Sequence, residues 1–287
     1  MHWLSFGARG GERPGVLLSS EEVLDVAGQW PHWPRNWAAL LAAGIDRLIA
    51  AEIERGRFHA WHVKPRAKLR LAPPVPRPSK VIALARNYAA HAAEQGRAAP
   101  SAPLLFAKAP SCLVGDGAEV IVPAHETRPD YEAEMALIIG RTARAVEEEE
   151  ALDCVAAITA FNDVSGREAQ FGDKLWMRGK SFDTFGPTGP CAVSLAEAGE
   201  IDDLRIEMFV NGEARQRART SEMTVGCAGL VSWISRQMTL YPGDMIATGT
   251  PAGVGVFRDP PLFLQDGDEM EVRLEGVGSL RNRVVRH

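Results

Sequence analysis

Glu132 and Glu134, joined by Ala133, and Asp163, 29 residues beyond Glu134, bring three carboxylates to the edges of apolar runs. Residues two apart in a strand point to one side, so Glu132 and Glu134 share a face that Ala136 and Ile138 continue as core. Asp163 closes a second apolar run, Val155 to Phe161. Carboxylates crowded at the mouths of buried strands repel one another and lose hydration; a bound cation relieves both costs. An all-oxygen set suits Mg²⁺, Mn²⁺ or Ca²⁺, and no His or Cys spacing suggests zinc. A bare Glu-x-Glu is more often a solvated strand edge. The flanking apolar runs and the third acid tip the reading toward metal.

His91 and Glu94 stand three apart on a short helix expected over Tyr88–Gln95, so they share a face. A carboxylate beside an imidazole orients it and raises its basicity, which suits a general base. Lys180 sits in Trp176-Met177-Arg178-Gly179-Lys180-Ser181-Phe182, where glycine lets backbone carry a cation into a cleft. Arg167 and Gln170 follow Asp163 by four and seven, and on a helix they point with it. The glycine-rich Thr248–Gly253 follows a strand, and its N–H groups suit an anion. Other motifs fail. Gly179-Lys180-Ser181 has Lys174 where a phosphate loop needs glycine. No nucleophile elbow and no dinucleotide loop is present.

These residues need elements to position them. The chain has 287 residues, 46% of them hydrophobic, enough for a sizeable core. Its net charge of −5 gives no support for nucleic-acid binding. Four widely spaced cysteines read as buried free thiols in a reducing compartment. No apolar run reaches membrane-spanning length, and the first residues lack the pattern of a signal peptide. A soluble cytoplasmic protein is expected.

Ala72-Pro73-Pro74-Val75-Pro76-Arg77-Pro78 breaks the composition. We read residues 1–72 as a small N-terminal domain, 73–78 as a stiff proline-rich linker and 79–287 as the catalytic domain. The first part carries five of the seven tryptophans, read as core packing, and a helix from Trp37 to about Glu54 capped by Asn36. Leu40, Leu41, Ile45, Leu48 and Ile49 form its apolar stripe. The basic stretch 55–80 reads as one solvated face of a strand. Later segments read as short strands and glycine turns, including a hairpin around Asn211-Gly212, without βαβ alternation.

Taken together, these stretches resemble the fumarylacetoacetate hydrolase family. The resemblance runs in order through Arg86-Asn87-Tyr88 with His91 and Glu94, Tyr131–Glu134, Asn162–Ser165 with Arg167 and Gln170, Trp176–Pro190, Asn211–Glu213 and Leu240–Gly253, over roughly residues 78 to 282. It implies an α+β, mainly β fold: a mixed β-sandwich or roll with a small N-terminal α+β domain, usually paired as a homodimer. It implies Mg²⁺, or Mn²⁺ or Ca²⁺, on Glu132, Glu134 and Asp163. It gives catalytic roles to His91, Glu94, Lys180 and Gln170, with His91 and Glu94 on a mobile lid. It gives substrate-binding roles to Arg86, Tyr88, Arg167 and Thr250. The chain departs at Ala85, where the family commonly has glycine, and at Ala157 and Ile158, where it has glycine and an aromatic residue.

The expected activity is metal-dependent hydrolysis of the C–C bond in an acylpyruvate, releasing pyruvate and a carboxylic acid. Decarboxylation or keto–enol tautomerisation of an oxaloacetate-like 2-oxo acid is the alternative, since the same groups serve all three. A non-catalytic oxo-acid-binding homodimer is the remote one. The partner expected in every case is a small 2-oxo acid, with no nucleic acid and no membrane.

Overall fold

The computed structural model describes residues 1–286. Its centre is the strand Ala133–Ile139, buried along its whole length. Residues of one parity, Met135, Leu137 and Ile139, enter one core, and Ala136 and Ile138 enter another on the opposite face. This is the alternation the acidic pattern predicts, so Glu132 and Glu134 fall on the Ala136 side.

Twelve strands form one mixed sheet around that centre. Ala133–Ile139 pairs antiparallel with Val155–Asn162 on one side and with Met245–Ala247 on the other. Met245–Ala247 runs parallel to Val81–Ala85, which pairs with Leu104–Lys108 at the edge. A five-stranded sheet, including Arg205–Val210, Glu269–Leu274 and Gly278–Arg286, shares the first core. Asn211 and Gly212 both take positive φ at the expected hairpin turn. The fold is α+β and strand-rich, with no closed barrel among the described residues.

The first residues join the same large sheet. His2–Phe6 pairs antiparallel with Gly186–Ser194, and Arg13–Leu17, Glu22–Asp25 and Val63–Pro65 extend the sheet to its edge. Trp3 and Trp37 are buried with ring centroids 4.4 Å apart, and the Trp37 indole donates to the Leu4 carbonyl at 2.7 Å. The prolines do not hang in solvent: Ala72 to Val75 is buried.

Local expectations need two corrections. The helix expected over Trp37–Glu54 is two helices, Trp37–Ala42 and Ile45–Glu54, because Gly44 takes a left-handed φ of 65° between them. That break rotates Leu48 out to solvent, while Leu40, Leu41 and Ile49 remain core. Residues 55–80 are not one strand face; they alternate short 3₁₀ turns with the short strands Val63–Pro65 and Leu71–Ala72. Asn36 caps as expected, accepting from the Ala39 N–H at 2.9 Å. All four cysteines are free, and three are buried. Among the described residues no helix is long and apolar enough to cross a membrane.

Candidate active site

The three acids converge. Glu132, Glu134 and Asp163 are buried, and an oxygen from each lies within 4.8 Å of the others. Two central strands deliver them: Ala133–Ile139 starts after Glu132, and Val155–Asn162 ends before Asp163. The Asp163 N–H donates to the Glu132 carbonyl at 2.9 Å, which locks the two strand ends together.

The cations around them are largely committed. Lys180 Nζ donates to Glu132 Oε2 and Asp163 Oδ2, both at 2.7 Å. Lys108 Nζ donates to Asp163 Oδ1 at 2.5 Å and to the Lys180 carbonyl. Arg167 pairs with Asp130 and, at 2.7 Å, with Glu132 Oε1. Asp130, Glu132, Glu134 and Asp163 thus face Lys108, Arg167 and Lys180, all buried, leaving one negative charge in excess.

That excess falls on Glu134. Its Oε2 accepts only the Gly249 N–H, at 2.9 Å, and its Oε1 has no hydrogen-bond partner. Burial, followed by the charges of Asp163 and Glu132, holds its carboxyl well above the ordinary range. Glu132 goes the other way. Burial would raise it, but the charges of Lys180 and Arg167 outweigh burial and hold it at about 2. Burial also works against the charged form of Lys180, yet Asp163 and Glu132 keep its pKa above the ordinary value. An orphaned carboxylate oxygen inside an all-oxygen cluster fits a divalent cation held by Glu132, Glu134 and Asp163.

The short helix Ala89–Glu94 stands over this cluster with His91 buried. His91 Nδ1 lies 2.6 Å from Glu94 Oε1, and its Nε2 lies 2.7 Å from Gln95 Nε2. A carboxylate accepts only, so Nδ1 carries the proton and Nε2 offers its lone pair. Glu94 Oε2 in turn accepts the Gly253 N–H at 2.9 Å. The glycine-rich turn therefore gives two of its N–H groups to the protein's own acids: Gly249 to Glu134, Gly253 to Glu94. Asn87 pins the start of the helix through its amide, bonded to Val225 and to the Thr248 carbonyl.

Gly179 explains how Lys180 reaches the acids. A Cβ there would sit 2.6 Å from the Gln170 nitrogen and 2.7 Å from the Gly166 carbonyl oxygen. Only glycine lets the short helix Met177–Lys180 lie this close to Arg167–Asp173. The latter helix places Arg167 and Gln170 as expected, with the Gln170 oxygen taken by Arg167 at 2.9 Å. Its amide NH₂ remains as a donor.

A cavity of about 50 Å³ joins these groups. His91, Glu132, Lys180, Arg167, Gln170 and Thr250 line it on the polar side, with Arg86 and Gln95. Phe106, Phe171, Trp176 and Phe257 form its aromatic side. Two expected substrate-binding residues lie differently. Tyr88 is in the core with its hydroxyl buried, outside the lining. Thr250 lines the cavity, but its hydroxyl donates to the Ala133 carbonyl and accepts from Gln216. Sequence reasoning missed Lys108, Asp130 and Gln95 as members of the site. Lys108 had a faint signal, as a lysine closing the apolar run Leu104–Ala107, and Gln95 had a local one, four residues after His91 on the same helix face; Asp130 differs from any solvated polar residue only through its tertiary partners.

The family profile described as fumarylacetoacetate (FAA) hydrolase C-terminal matches residues 80–285. The chain belongs to the fumarylacetoacetate hydrolase family. It is 40% identical over 265 residues to the human mitochondrial oxaloacetate tautomerase FAHD2A, covering 92% of this chain and 84% of that protein. It is 37% identical over 287 residues to a 2,4-didehydro-3-deoxy-L-rhamnonate hydrolase of Sphingomonas, covering 99% and 96%. A solved fumarylacetoacetate hydrolase from Exiguobacterium antarcticum superposes with a TM-score of 0.83 at 35% identity, covering 100% of both chains. This family context makes the chain an enzyme of the tautomerase, hydrolase and isomerase group.

Proposed function

We propose that this enzyme interconverts the keto and enol forms of a small 2-oxo acid of the oxaloacetate type. The observation that carries the reading is that His91 and Lys180 line one cavity together. Tautomerisation moves one proton between carbon 3 and the oxygen on carbon 2 and needs no water. The oxaloacetate tautomerase name of the human relative supports the same choice.

A divalent cation on Glu132, Glu134 and Asp163, with Mg²⁺ the expected ion, supplies Lewis-acid polarisation of the substrate's carboxylate and 2-oxo oxygens when bound. The chain's own residues do the rest. Gln95 holds His91 Nε2 until the substrate takes its place. His91 Nε2 then removes a proton from carbon 3, and Glu94 stabilises the imidazolium that forms. Lys180 holds the negative charge that develops on the 2-oxo oxygen. The imidazolium returns its proton to that oxygen, so the enol forms and His91 ends neutral. Gln170 presents its NH₂ to the substrate, and Arg167 fixes Gln170 and Glu132.

The second reading, C–C hydrolysis of an acylpyruvate, is favoured by the same His91–Glu94 geometry, which also suits deprotonating water. The hydrolase name of the Sphingomonas relative points the same way. Following enol absorbance of oxaloacetate with Mg²⁺, with and without chelator, separates the readings. Chelator-sensitive equilibration without pyruvate supports the tautomerase. Pyruvate plus acetate from acetylpyruvate, with no faster enol equilibration, moves the assignment to the hydrolase.

A further inference from the structure

Arg86 is the cation in the cavity that the acidic cluster does not use. It lines the cavity beside His91 and Gln95. Its Nε is buried with no hydrogen-bond partner, and no ion pair involves it among the described residues. Arg167 and Lys180, the other permanent cations of the lining, are both held by buried acids. A buried guanidinium donor without a partner costs stability and is seldom left so without a role.

The backbone makes the same point independently. Arg86 takes a φ of 57°, in the left-handed region that disfavours side chains with a Cβ. Ala85 before it is fixed in the strand Val81–Ala85, paired with Leu104, and Asn87 after it is pinned by its amide. The chain thus leaves its strand through a strained arginine, with rigid neighbours holding it there. Such strain clusters where a side chain must be held for a ligand.

We propose that Arg86 binds the distal carboxylate of a dicarboxylic 2-oxo acid and so sets the preference of this enzyme for such acids over 2-oxo acids with an apolar end. The inference rests on the 2-oxo acid reading given above. The carboxylate and 2-oxo group of carbons 1 and 2 belong at the acidic cluster. A second carboxylate finds one uncommitted cation in the lining, and Arg86 offers it paired N–H donors. The aromatic side formed by Phe106, Phe171, Trp176 and Phe257 is the competing argument for an apolar distal group. Such a group would leave the buried Nε of Arg86 without a partner, which the dicarboxylate avoids.

The test uses the full chain with Mg²⁺, comparing oxaloacetate, which ends in a carboxylate, with acetylpyruvate, which ends in a methyl ketone. Rates and calorimetric binding are measured for the wild type, Arg86→Leu and Arg86→Lys. Arg86→Leu should lower the preference for oxaloacetate over acetylpyruvate by about tenfold or more, mainly through KM, the scale of a lost charge-assisted hydrogen bond. Arg86→Lys should restore part of that preference, which a folding defect would not. An unchanged preference in Arg86→Leu overturns the proposal. Wild type that binds oxaloacetate without converting it defeats the tautomerase reading alone, and loss of that binding in Arg86→Leu still supports the carboxylate contact. Wild type that binds acetylpyruvate but not oxaloacetate overturns the role of Arg86.

Discussion

At the scale of single residues, Glu132 and Glu134 are two carboxylates separated by one residue, with acidities shifted in opposite directions. Their difference is set by neighbours: Lys180 and Arg167 serve Glu132, and no cationic side chain bonds Glu134. A carboxyl raised by folding holds its proton more tightly in the folded state. Glu134 therefore favours the fold below the ordinary carboxylate pKa, and this contribution is lost as pH rises through its raised value. A cation needs the ionised form. The rise in Tm on adding Mg²⁺ should grow as pH increases through that range, and a pH-independent rise would remove Glu134 from the ligand set. Glu132→Ala should abolish Mg²⁺ binding by calorimetry and turnover together. His91→Ala should keep the binding and lower kcat by about 10² to 10⁴. Much of this was legible in the sequence, because acids beside apolar runs lose hydration wherever the strands pack, and a histidine three residues before a glutamate shares its helix face. Lys108 left only the faint mark of a cation closing an apolar run and Asp130 left none, because their partners depend on the tertiary fold.

Among the elements, short glycine-dependent segments do most of the positioning. The helix Met177–Lys180 is too short to be stable alone, and its place is set by how closely Gly179 approaches Gln170. Gly179→Ala should therefore push Lys180 away from Glu132 and Asp163. We expect about 1–3 kcal/mol of destabilisation in denaturant melts, with a fall in kcat/KM beyond what lost folding explains. A variant as active and as stable as the wild type would mean the helix can retreat without moving the lysine. Strand and turn positions were easier to read than helix boundaries. The strands Glu119–Val122 and Glu269–Leu274 alternate between buried and more exposed positions, and Asn211-Gly212 turns as its residues require. The run from Trp37 failed as one helix because its apolar spacing continues past Gly44, and periodicity does not register a residue that prefers left-handed backbone.

Over the whole molecule, the large sheet ties the first residues to the site. Trp37 packs on Trp3, and Trp3 pairs with Ala192 in a strand that borders Val155–Asn162, which ends just before Asp163. Trp37→Ala should cost about 3–5 kcal/mol and lower the melting of the entire chain in one transition. A separate early transition for the first 72 residues would show that they fold as an independent unit. The homodimer expected from the resemblance predicts a mass of two 31.2 kDa chains by light scattering. The seam between His2–Phe6 and Gly186–Ser194 also bears on how the protein is made. On a ribosome adding about 5–20 residues each second, residues 2–6 wait on the order of ten to forty seconds for their partner strand to emerge. During that interval Trp3, Leu4 and Phe6 have the early strand Arg13–Leu17 beside them but no central strands to join. The nascent chain is most exposed to chaperones and to mispairing until Gly186–Ser194 emerges, by which time every acid of the buried cluster has already been synthesised.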